Sequence, residues 1–254
     1  FDSEYIPALT NDWTIGMLPG PQPTGEYLKP EYLTTLTESE YVVNFNSART
    51  GVRLNGPIPE WVREDGGEAG LHPSNIHDNA YAIGTLDLTG DQSILLGPDG
   101  PSLGGFVCSV TTAKGELWKL GQLHPGDRVH FQLINLEQAA KLREAQEKNI
   151  RQDYTKVCLP EPIPMDASYA VLAEGISDET EYKIRLDGEE NILMEYGEME
   201  LNIELRFRAH ILMQELEKSN LPIIDMTPGI RSLQVHFDLN QMDALEMARR
   251  VVEI

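Results

Sequence analysis

The feature that most limits the fold is the shortness of the apolar runs in residues 1–134, which are separated by glycine, proline and aspartate. Residues of these three types end strands and form turns. Short strands that are closely spaced and broken by turns are typical of a β-barrel or a β-sandwich. The sequence therefore predicts a mainly β first region, with strands at Tyr41–Phe45, Tyr81–Leu88, Ser93–Leu96 and Arg128–Leu133.

The character of the sequence changes after residue 134. Asn135 and Gln138 have the spacing of a helix N-cap and its capping partner, and the charged stretch that follows to Gln152 predicts a helix too polar for a core. Alternating prolines over Leu159–Pro164 make a stiff, extended spacer. We therefore predict three segments, which are residues 1–134, 135–167 and 168–254.

Beyond the spacer the pattern is that of an α+β unit. Tyr182–Leu186 and Ile192–Tyr196 predict paired strands, and a helix, a strand at Ser232–Phe237 and a second helix from about Gln241 follow. This order makes half of a split βαβ unit, and we expect the sequence to stop before the unit is complete. The apolar face of the first helix is predicted to consist of Leu201, Leu205, Ala209, Leu212 and Leu216.

The charge of the chain argues against two classes of partner. With 20 basic and 41 acidic residues, the formal net charge is −21, so neither nucleic acid nor an anionic membrane is an expected partner. The two cysteines, Cys108 and Cys158, form no disulfide framework or zinc motif, which predicts a reducing, cytoplasmic location. Because the sequence begins with Phe1 rather than methionine and the last helix has no cap, we expect an internal piece of a longer protein. A homo-oligomer is possible in this reading of the sequence.

The densest group of chemically active side chains lies between Arg63 and Asn79. It contains His72 and His77 among glycines, which allow backbone amides to approach a ligand. The ordinary alternative is a polar surface loop that satisfies its own turns. A metal site or a serine hydrolase site is disfavoured, because neither ligand spacing nor a nucleophile elbow is found. The other candidates in this group are Glu68, Ser74, Asn75, Asp78 and Asn79.

A second loop, Gly97–Phe106, has four glycines and two prolines in ten residues. It matches neither a dinucleotide-binding nor a phosphate-binding fingerprint. Its residues suit a tight connection between strands, or a rigid backbone that offers N–H groups to a flat amide or ureido ligand. In a third segment, Thr227–Asp238, we interpret Arg231 as a residue that pins a turn at a domain interface rather than one that binds a carboxylate.

Several motifs, in this order, resemble the carboxyltransferase domain of the urea carboxylases, including the form fused within urea amidolyases. Leu18–Gln22 and Asn46–Leu54 resemble the half that is related to allophanate hydrolase subunit 2. Glu64–Asp78 and Gly97–Phe106 resemble the urea carboxylase branch in particular. The start of a half related to subunit 1 is suggested by Met194–Gly197, Leu205–Arg208 and Thr227–Arg231.

The resemblance implies part of a cyclophilin-like β-barrel, followed by a small, truncated α+β domain. It also implies transfer of the carboxyl group from carboxybiotin to a urea nitrogen, giving allophanate. Biotin carboxylase and biotin carrier domains, with ATP and Mg used there, are expected elsewhere in the same polypeptide, so the chain alone should be inactive. Two alternatives stay open, a guanidine carboxylase and a non-catalytic module related to kinase-inhibitor pairs.

Under this resemblance each candidate residue takes a role. Neutral histidine suits the proton transfer that a poor nitrogen nucleophile needs, so the expected catalytic residues are His72, His77 and Asp78. Urea needs both donors and acceptors, and its expected partners are Ser74, Asn75, Glu68 and Asn79. The second loop is expected to hold the ureido group of biotin in the same pocket, through Asp99, Gly100, Ser102, Gly104 and Gly105.

Overall fold

The computed structural model describes residues 7–64, 66–151 and 157–254, so Asp65, Gln152 and the N-terminal six residues lie outside the described part. Within these ranges seven strands close a barrel, five strands form an antiparallel sheet and two strands pair separately. A mainly β barrel followed by an α+β unit is the fold class that the sequence predicts. Among the described residues, no helix is both long enough and apolar enough to span a membrane.

The barrel closes through one parallel pairing. Its strands are β1 (Asp12–Pro19), β2 (Tyr41–Val43), β3 (Gly51–Asn55), β5 (Thr85–Thr89), β6 (Gln92–Leu96), β8 (Cys108–Thr112) and β9 (Arg128–Leu133). They follow the order β1-β8-β5-β6-β3-β2-β9, and β1 then pairs in parallel with β9. Side chains alternate between the two faces of β9, and Val129, Phe131 and Leu133 belong to the apolar core inside the barrel.

Three of the four strands predicted for this region differ at their ends from those found. Arg128–Leu133 is found with the predicted bounds, and Ser93–Leu96 is found with one more residue. The predicted strand Tyr81–Leu88 is wrong over its first half, because Gly84 has a positive φ of 83° and turns the chain into β5 there. The predicted strand Tyr41–Phe45 ends at Val43, and the sequence did not reveal the helices α1 (Tyr32–Glu38) and α2 (Leu117–Leu120).

The two loops that the sequence analysis singled out pair with each other outside the barrel. Strand β4 (Asn75–Ala80) and strand β7 (Leu103–Phe106) form a two-stranded antiparallel sheet, which we call the ribbon. Val107 follows β7, and its N–H donates to the Ser74 carbonyl, which ties the base of the ribbon together. The ribbon is therefore a defined element of the fold and not a pair of independent surface loops.

Helix α3 (Leu136–Ile150) begins where the capping motif predicts. Asn135 accepts from the Gln138 N–H at 2.8 Å, and the Gln138 side chain accepts from the Asn135 N–H at 3.0 Å, which confirms the capping box. The helix is not wholly exposed, because Ala139 and Leu142 are buried. The proline spacer contacts strand β9, because the Pro160 carbonyl accepts a hydrogen bond from the Gln132 side chain at 2.6 Å.

The second region contains a complete split βαβ unit. Its elements are β10 (Val171–Ser177), β11 (Thr180–Leu186), β12 (Asn191–Tyr196), α4 (Ile203–Lys218), β13 (Ile223–Pro228), β14 (Ser232–Phe237) and α5 (Ala244–Val252). Strands β12 and β13 both run antiparallel to β14, which lies between them, and α4 joins them. The sequence did not reveal β13, because its residues are exposed or half-exposed and show no apolar pattern. That the α+β domain is truncated stays a prediction.

The predicted apolar face of α4 is confirmed at four of its five positions. Leu205, Ala209, Leu212 and Leu216 are buried. Leu201 is 72% exposed, because the helix begins only at Ile203, where Asn202 is the N-cap. The second helix begins at Ala244 rather than near Gln241.

The two regions share one apolar core. Leu18, Ala113 and Ile134 from the barrel side belong to the same buried cluster as Ile184 and Phe237 from the sheet. The side chains of α4 and α5 complete this cluster. Because burial of apolar surface stabilises a fold in proportion to area, the barrel and the sheet stabilise each other.

Phe237 provides a test of this shared core. It is fully buried in β14, so Phe237→Ala should lower the free energy of unfolding by about 3–5 kcal/mol through lost contacts and a cavity. Phe207→Ala on the outside of α4 is the control, because Phe207 is 58% exposed and its loss should change the same quantity by less than about 0.5 kcal/mol. Chemical denaturation measures both variants, and equal effects would contradict the shared core.

Candidate functional site

The sheet presents a polar face to the barrel. Along β11, Ile184 and Leu186 join the apolar cluster under the helices, whereas Arg185 between them lies on the opposite face. On that face Arg185, Glu195 and Gln234 are each at most 6% exposed. We call the contact between this polar face and the barrel the seam. Buried polar groups without partners are costly, so the seam requires specific pairing.

Glu195 connects two arginines within the seam. Its Oε2 accepts from Arg185 Nε at 2.5 Å, and its Oε1 accepts from Arg231 Nη2 at 2.7 Å. Arg185 also donates from Nη2 to both carboxylate oxygens of Glu26, which belongs to the first region. Arg231 donates in addition to the Gly197 carbonyl at 3.1 Å, so it pins a turn beside the interface, as we interpreted it from the sequence.

Asp187 makes a second polar contact across the seam. It is fully buried and accepts from Gln234 at 2.5 Å and from the hydroxyls of Thr85 and Thr111 at 3.4 and 3.3 Å. Burial raises the pKa of Asp187 to about 6, although the three hydrogen bonds lower it in part. The hairpin turn of the sheet is thus joined to two barrel strands through one carboxylate.

A cavity of about 600 Å³ opens along the seam. This size is within the range of small-molecule sites. On the barrel side the Arg63 guanidinium lies 4.7 Å from the centre of the Tyr27 ring. The lining is dominated by charged groups, which include Glu26, Arg63, Lys183, Arg185, Glu195 and Arg231.

The ribbon brings part of the second loop against the first. Asn79 pairs with Gly104, and Asn75 pairs with Phe106. Between these pairs the three residues Ile76–Asp78 of β4 lie opposite the single residue Gly105 of β7, so β4 is bulged there. A Cβ at Gly105 would lie 2.8 Å from the Ile76 carbonyl oxygen, which explains the glycine.

The remaining residues of the second loop lie elsewhere. Asp99 forms an exposed ion pair with Arg49 at 2.7 Å, and the Gly100 N–H donates to Gly97 within the same turn. Ser102 accepts from the Tyr81 N–H through its carbonyl and lines a separate, smaller cavity. The structure therefore brings Gly104 and Gly105 to the first loop, but it does not bring Asp99 and Gly100 there.

His77 and Glu68 form a half-buried pair beside the ribbon. His77 Nε2 lies 3.0 Å from Glu68 Oε2. Arg63 lies 3.9 Å from Glu68 and donates from Nη1 to the Asn75 carbonyl at 3.1 Å. Because Arg63 also lines the seam cavity, it links the histidine–carboxylate pair to that cavity. Glu68 is thus placed to orient His77.

His72 and Ser74 lie apart from this pair and support the loop. His72 Nδ1 is 3.0 Å from Ser74 Oγ, its Nε2 is 3.3 Å from Asp91, and Trp61 packs edge-on against its ring. Ser74 is fully buried and its Oγ accepts from the Gly90 N–H at 3.0 Å. The Ser74 Oγ is engaged by His72 and by the Gly90 N–H, so it is not placed as a nucleophile and the hydrolase alternative gains no support.

Asp78 connects the ribbon to the sheet. Its Oδ2 accepts from Ser232 Oγ at 2.8 Å, and a Cβ at Gly229 would lie only 1.7 Å from the same oxygen. Its Oδ1 is buried without a hydrogen-bond partner among the described residues. Asn79 bonds to Gln22, which in turn accepts from the Cys108 N–H at 3.0 Å. No three His, Cys, Asp or Glu side chains in the described ranges are placed to share a metal ion.

Sequence reasoning missed the seam residues, because their role depends on which sheet face meets the barrel. Tyr27 and Glu26 stand in no motif, Glu195 was named only within the motif Met194–Gly197, and Arg63 was noted only as the start of a polar run. One signal was available, since Arg185 alternates with apolar residues in a strand that was predicted correctly.

Comparison with known proteins agrees with these observations. The family described as "Carboxyltransferase domain, subdomain A and B" matches residues 2–133, and "Carboxyltransferase domain, subdomain C and D" matches residues 182–254. The urea amidolyase of Saccharomyces cerevisiae is 36% identical over 96% of this chain, and the putative urea carboxylase of Emericella nidulans is 34% identical over 84%.

The crystal structure of the Kluyveromyces lactis urea carboxylase is similar over 98% of this chain, with a TM-score of 0.88 and 36% identity. The chain covers 23% of that structure. It spans 14% of the yeast urea amidolyase and 18% of the Emericella protein. The similarity therefore concerns one part of much longer proteins.

The raised pKa of Asp187 predicts how the seam responds to pH. A carboxyl group whose folded pKa of about 6 exceeds its usual 3.8 stabilises the fold more as pH falls through that interval. The unfolding free energy of the wild type relative to Asp187→Asn should rise by up to about 3 kcal/mol between pH 7 and pH 4. Denaturation at several pH values measures this difference. The control is Asp178→Asn, whose side chain is 91% exposed and should give no such trend.

Proposed function

Because the chain belongs to the carboxyltransferase domain family, we propose that it is the part of a urea carboxylase that transfers a carboxyl group from carboxylated biotin to urea, giving allophanate. The observation that supports this most is the ribbon. It joins two loops that are distant in sequence and places the His77–Glu68 pair beside a glycine strand. The seam cavity lies next to this arrangement, with Arg63 between them.

His77 is the better candidate for proton transfer. Glu68 accepts from Nε2–H, which leaves Nδ1 as the basic nitrogen, and Nδ1 has no partner among the described residues. In this proposal Nδ1 takes a proton from the attacking urea nitrogen and would pass it to the ureido nitrogen of biotin that loses the carboxyl group, and Glu68 stabilises the imidazolium in between. His72 has both ring nitrogens engaged, so its proposed role is to support the loop.

Urea binding is assigned to the bulged strand of the ribbon. Asp78 Oδ1 is a buried acceptor without a donor among the described residues, which suits an N–H of urea or of a ureido group. The amides of Asn75 and Asn79 offer both donors and acceptors, although Asn79 already bonds to Gln22. The Ser74 Oγ is already engaged by His72 and the Gly90 N–H, so its proposed contribution is indirect.

Biotin, carried by another part of the longer protein, would supply the activated carboxyl group when bound. Gly104 and Gly105 remain the candidate contacts for its flat ureido group, because a strand without side chains permits close approach to the backbone. Ser102, Asp99 and Gly100 are weaker candidates, since they lie away from His77. Biotin carboxylase and carrier domains, ATP and Mg elsewhere in the protein, and a cytoplasmic location all remain predictions.

Removing the imidazole should slow the transfer step selectively. In a full-length urea carboxylase that contains this chain, His77→Ala should lower the rate of urea carboxylation by about two to four orders of magnitude, the usual contribution of a positioned acid or base. ATP-dependent carboxylation of biotin should continue, because another domain is proposed to perform it. Separate assays of ATP cleavage and of allophanate formation measure the two steps.

His124→Ala is the matched control, because His124 is an exposed histidine on the barrel and its side chain is 81% accessible. Transfer should be unchanged in that variant. If His77→Ala also turned over urea at the wild-type rate, His77 would be structural and His72 would become the candidate for the base.

Guanidine is a second candidate substrate, which the carboxylates near the ribbon favour. Asp78 Oδ1 is unpaired and Glu68 is close to His77, so a cationic ligand would find negative charge there. Assays of the full-length protein with urea and with guanidine compare kcat/KM for the two. We expect urea to be preferred, because Arg63 lies 3.9 Å from Glu68 and offsets part of its charge. A higher kcat/KM for guanidine would reverse the assignment.

A further inference from the structure

A buried tyrosine packs directly beneath the glycine strand of the ribbon. Tyr81 is 7% exposed, and its hydroxyl accepts a hydrogen bond from the Phe106 N–H at 3.0 Å. A Cβ at Gly104 would lie 2.3 Å from the Tyr81 hydroxyl oxygen and 2.4 Å from a ring carbon. Glycine at this position is therefore required by the close approach of the ring, and β7 is held from below by one side chain.

The same hydroxyl is joined to a carboxylate in the barrel wall. Burial raises the pKa of Asp87 to about 6, and the hydroxyls of Thr89 and the nearby Tyr81 lower it in part. Thr89 Oγ1 donates to Asp87 at 2.6 Å. Asp87 is 3% exposed, and it lies in β5 opposite Cys108 of β8. Asp87 lies in a paired barrel strand, so it is placed to orient the Tyr81 hydroxyl, and that hydroxyl binds the backbone of β7.

This chain of contacts acts where the ribbon departs from regular pairing. Phe106 pairs with Asn75, and the next pair along the ribbon is Gly104 with Asn79. Between these pairs lies the bulge that contains His77 and Asp78. At the Asn75–Phe106 pair each strand of the ribbon binds one further side chain. The Tyr81 hydroxyl accepts from the Phe106 N–H, and Arg63 donates to the Asn75 carbonyl.

We propose that the Tyr81–Asp87 pair is a positioning device for carboxyl transfer, which fixes the glycine strand against the bulge that carries His77 and Asp78. Neither side chain touches the substrate; both act through the backbone of β7. A displacement of about 1 Å between reacting groups costs about a hundredfold in rate, so a rigid support of this kind is significant for catalysis. This inference rests on the proposed function, because it requires the ribbon to be the transfer site.

The first test is Tyr81→Phe in the full-length urea carboxylase that contains this chain. The variant keeps the ring under β7 and removes both hydrogen bonds of the hydroxyl. We expect kcat for urea carboxylation to fall about 10- to 100-fold, with a change in KM for urea of less than about threefold. Biotin carboxylation and the midpoint of thermal unfolding should change little.

The partner residue offers a graded second test. Asp87→Asn retains an oxygen that accepts from the Tyr81 hydroxyl, so it should keep most of the wild-type kcat. Asp87→Ala removes the acceptor and should approach the loss seen in Tyr81→Phe. Because the two side chains act as one unit, the double variant Tyr81→Phe/Asp87→Ala should lose no more than the more affected single variant. These variants also decide the matter if Tyr81→Phe fails to fold.

Tyr32→Phe is the matched control. Tyr32 is a buried tyrosine, 5% exposed, whose hydroxyl bonds to Ser109 at 3.0 Å inside the barrel and not to the ribbon. Its loss should leave kcat unchanged. Equal rates in Tyr81→Phe and Tyr32→Phe, or a fall in kcat that follows thermal stability in both, would overturn the positioning role. If the wild-type protein does not carboxylate urea at all, the proposed function fails first and this inference falls with it.

Discussion

Glu195 accepts hydrogen bonds from two arginines of the second region, and one of them, Arg185, also carries the contacts to Glu26 and to the Pro21 carbonyl of the first region. A buried ion pair gains little net free energy, because desolvation offsets the attraction. Loss of one partner, however, leaves an uncompensated buried charge and costs several kcal/mol. Arg185 also binds Glu26 of the first region, so a small rotation of the sheet on the barrel would break more than one of these contacts. The seam therefore provides specificity of docking, and the shared apolar core provides most of the stability.

That docking geometry builds the candidate site. Asp78 belongs to the ribbon, but its Oδ2 is held by Ser232, the residue after Arg231. Gly229 passes so close to the same oxygen that no side chain would fit. The bulged strand is thus held by the sheet on one side and, through Arg63, by the wall of the seam cavity on the other. The first region thus supplies the ribbon and the His77–Glu68 pair, and the second region adds the contact to Asp78 and part of the cavity wall.

Much of the fold follows from local sequence signals, whereas the site follows from them only in part. The capping box at Asn135 and the apolar face of α4 are local patterns, and both were predicted from the sequence. Strand β13 was missed because its residues are exposed or half-exposed. The turn at Gly84 was missed because a positive φ leaves no trace in the pattern of apolar residues. Pairing of the two loops depends on contacts between residues about thirty positions apart, and one sequence does not encode such contacts in a readable form. Whether His77 or His72 faces a ligand depends on the neighbours of each ring, which only the folded chain supplies.

The unequal satisfaction of buried carboxylates supports the proposal that the ribbon binds a ligand. Glu195 and Asp187 each receive donors from more than one side chain, although both lie deep in the seam. Asp78 is nearly as buried, yet its Oδ1 receives none from the described residues. An unsatisfied buried acceptor costs about 1–3 kcal/mol. Trp61 Nε1 and Arg206 Nη1 are also without partners, but Trp61 packs against the loop-supporting His72, and Arg206 lies on α4, away from the barrel. The described residues pair the seam carboxylates on both oxygens but leave Asp78 Oδ1, next to His77 in sequence, without a donor, and this acceptor is the one that the proposed urea site uses.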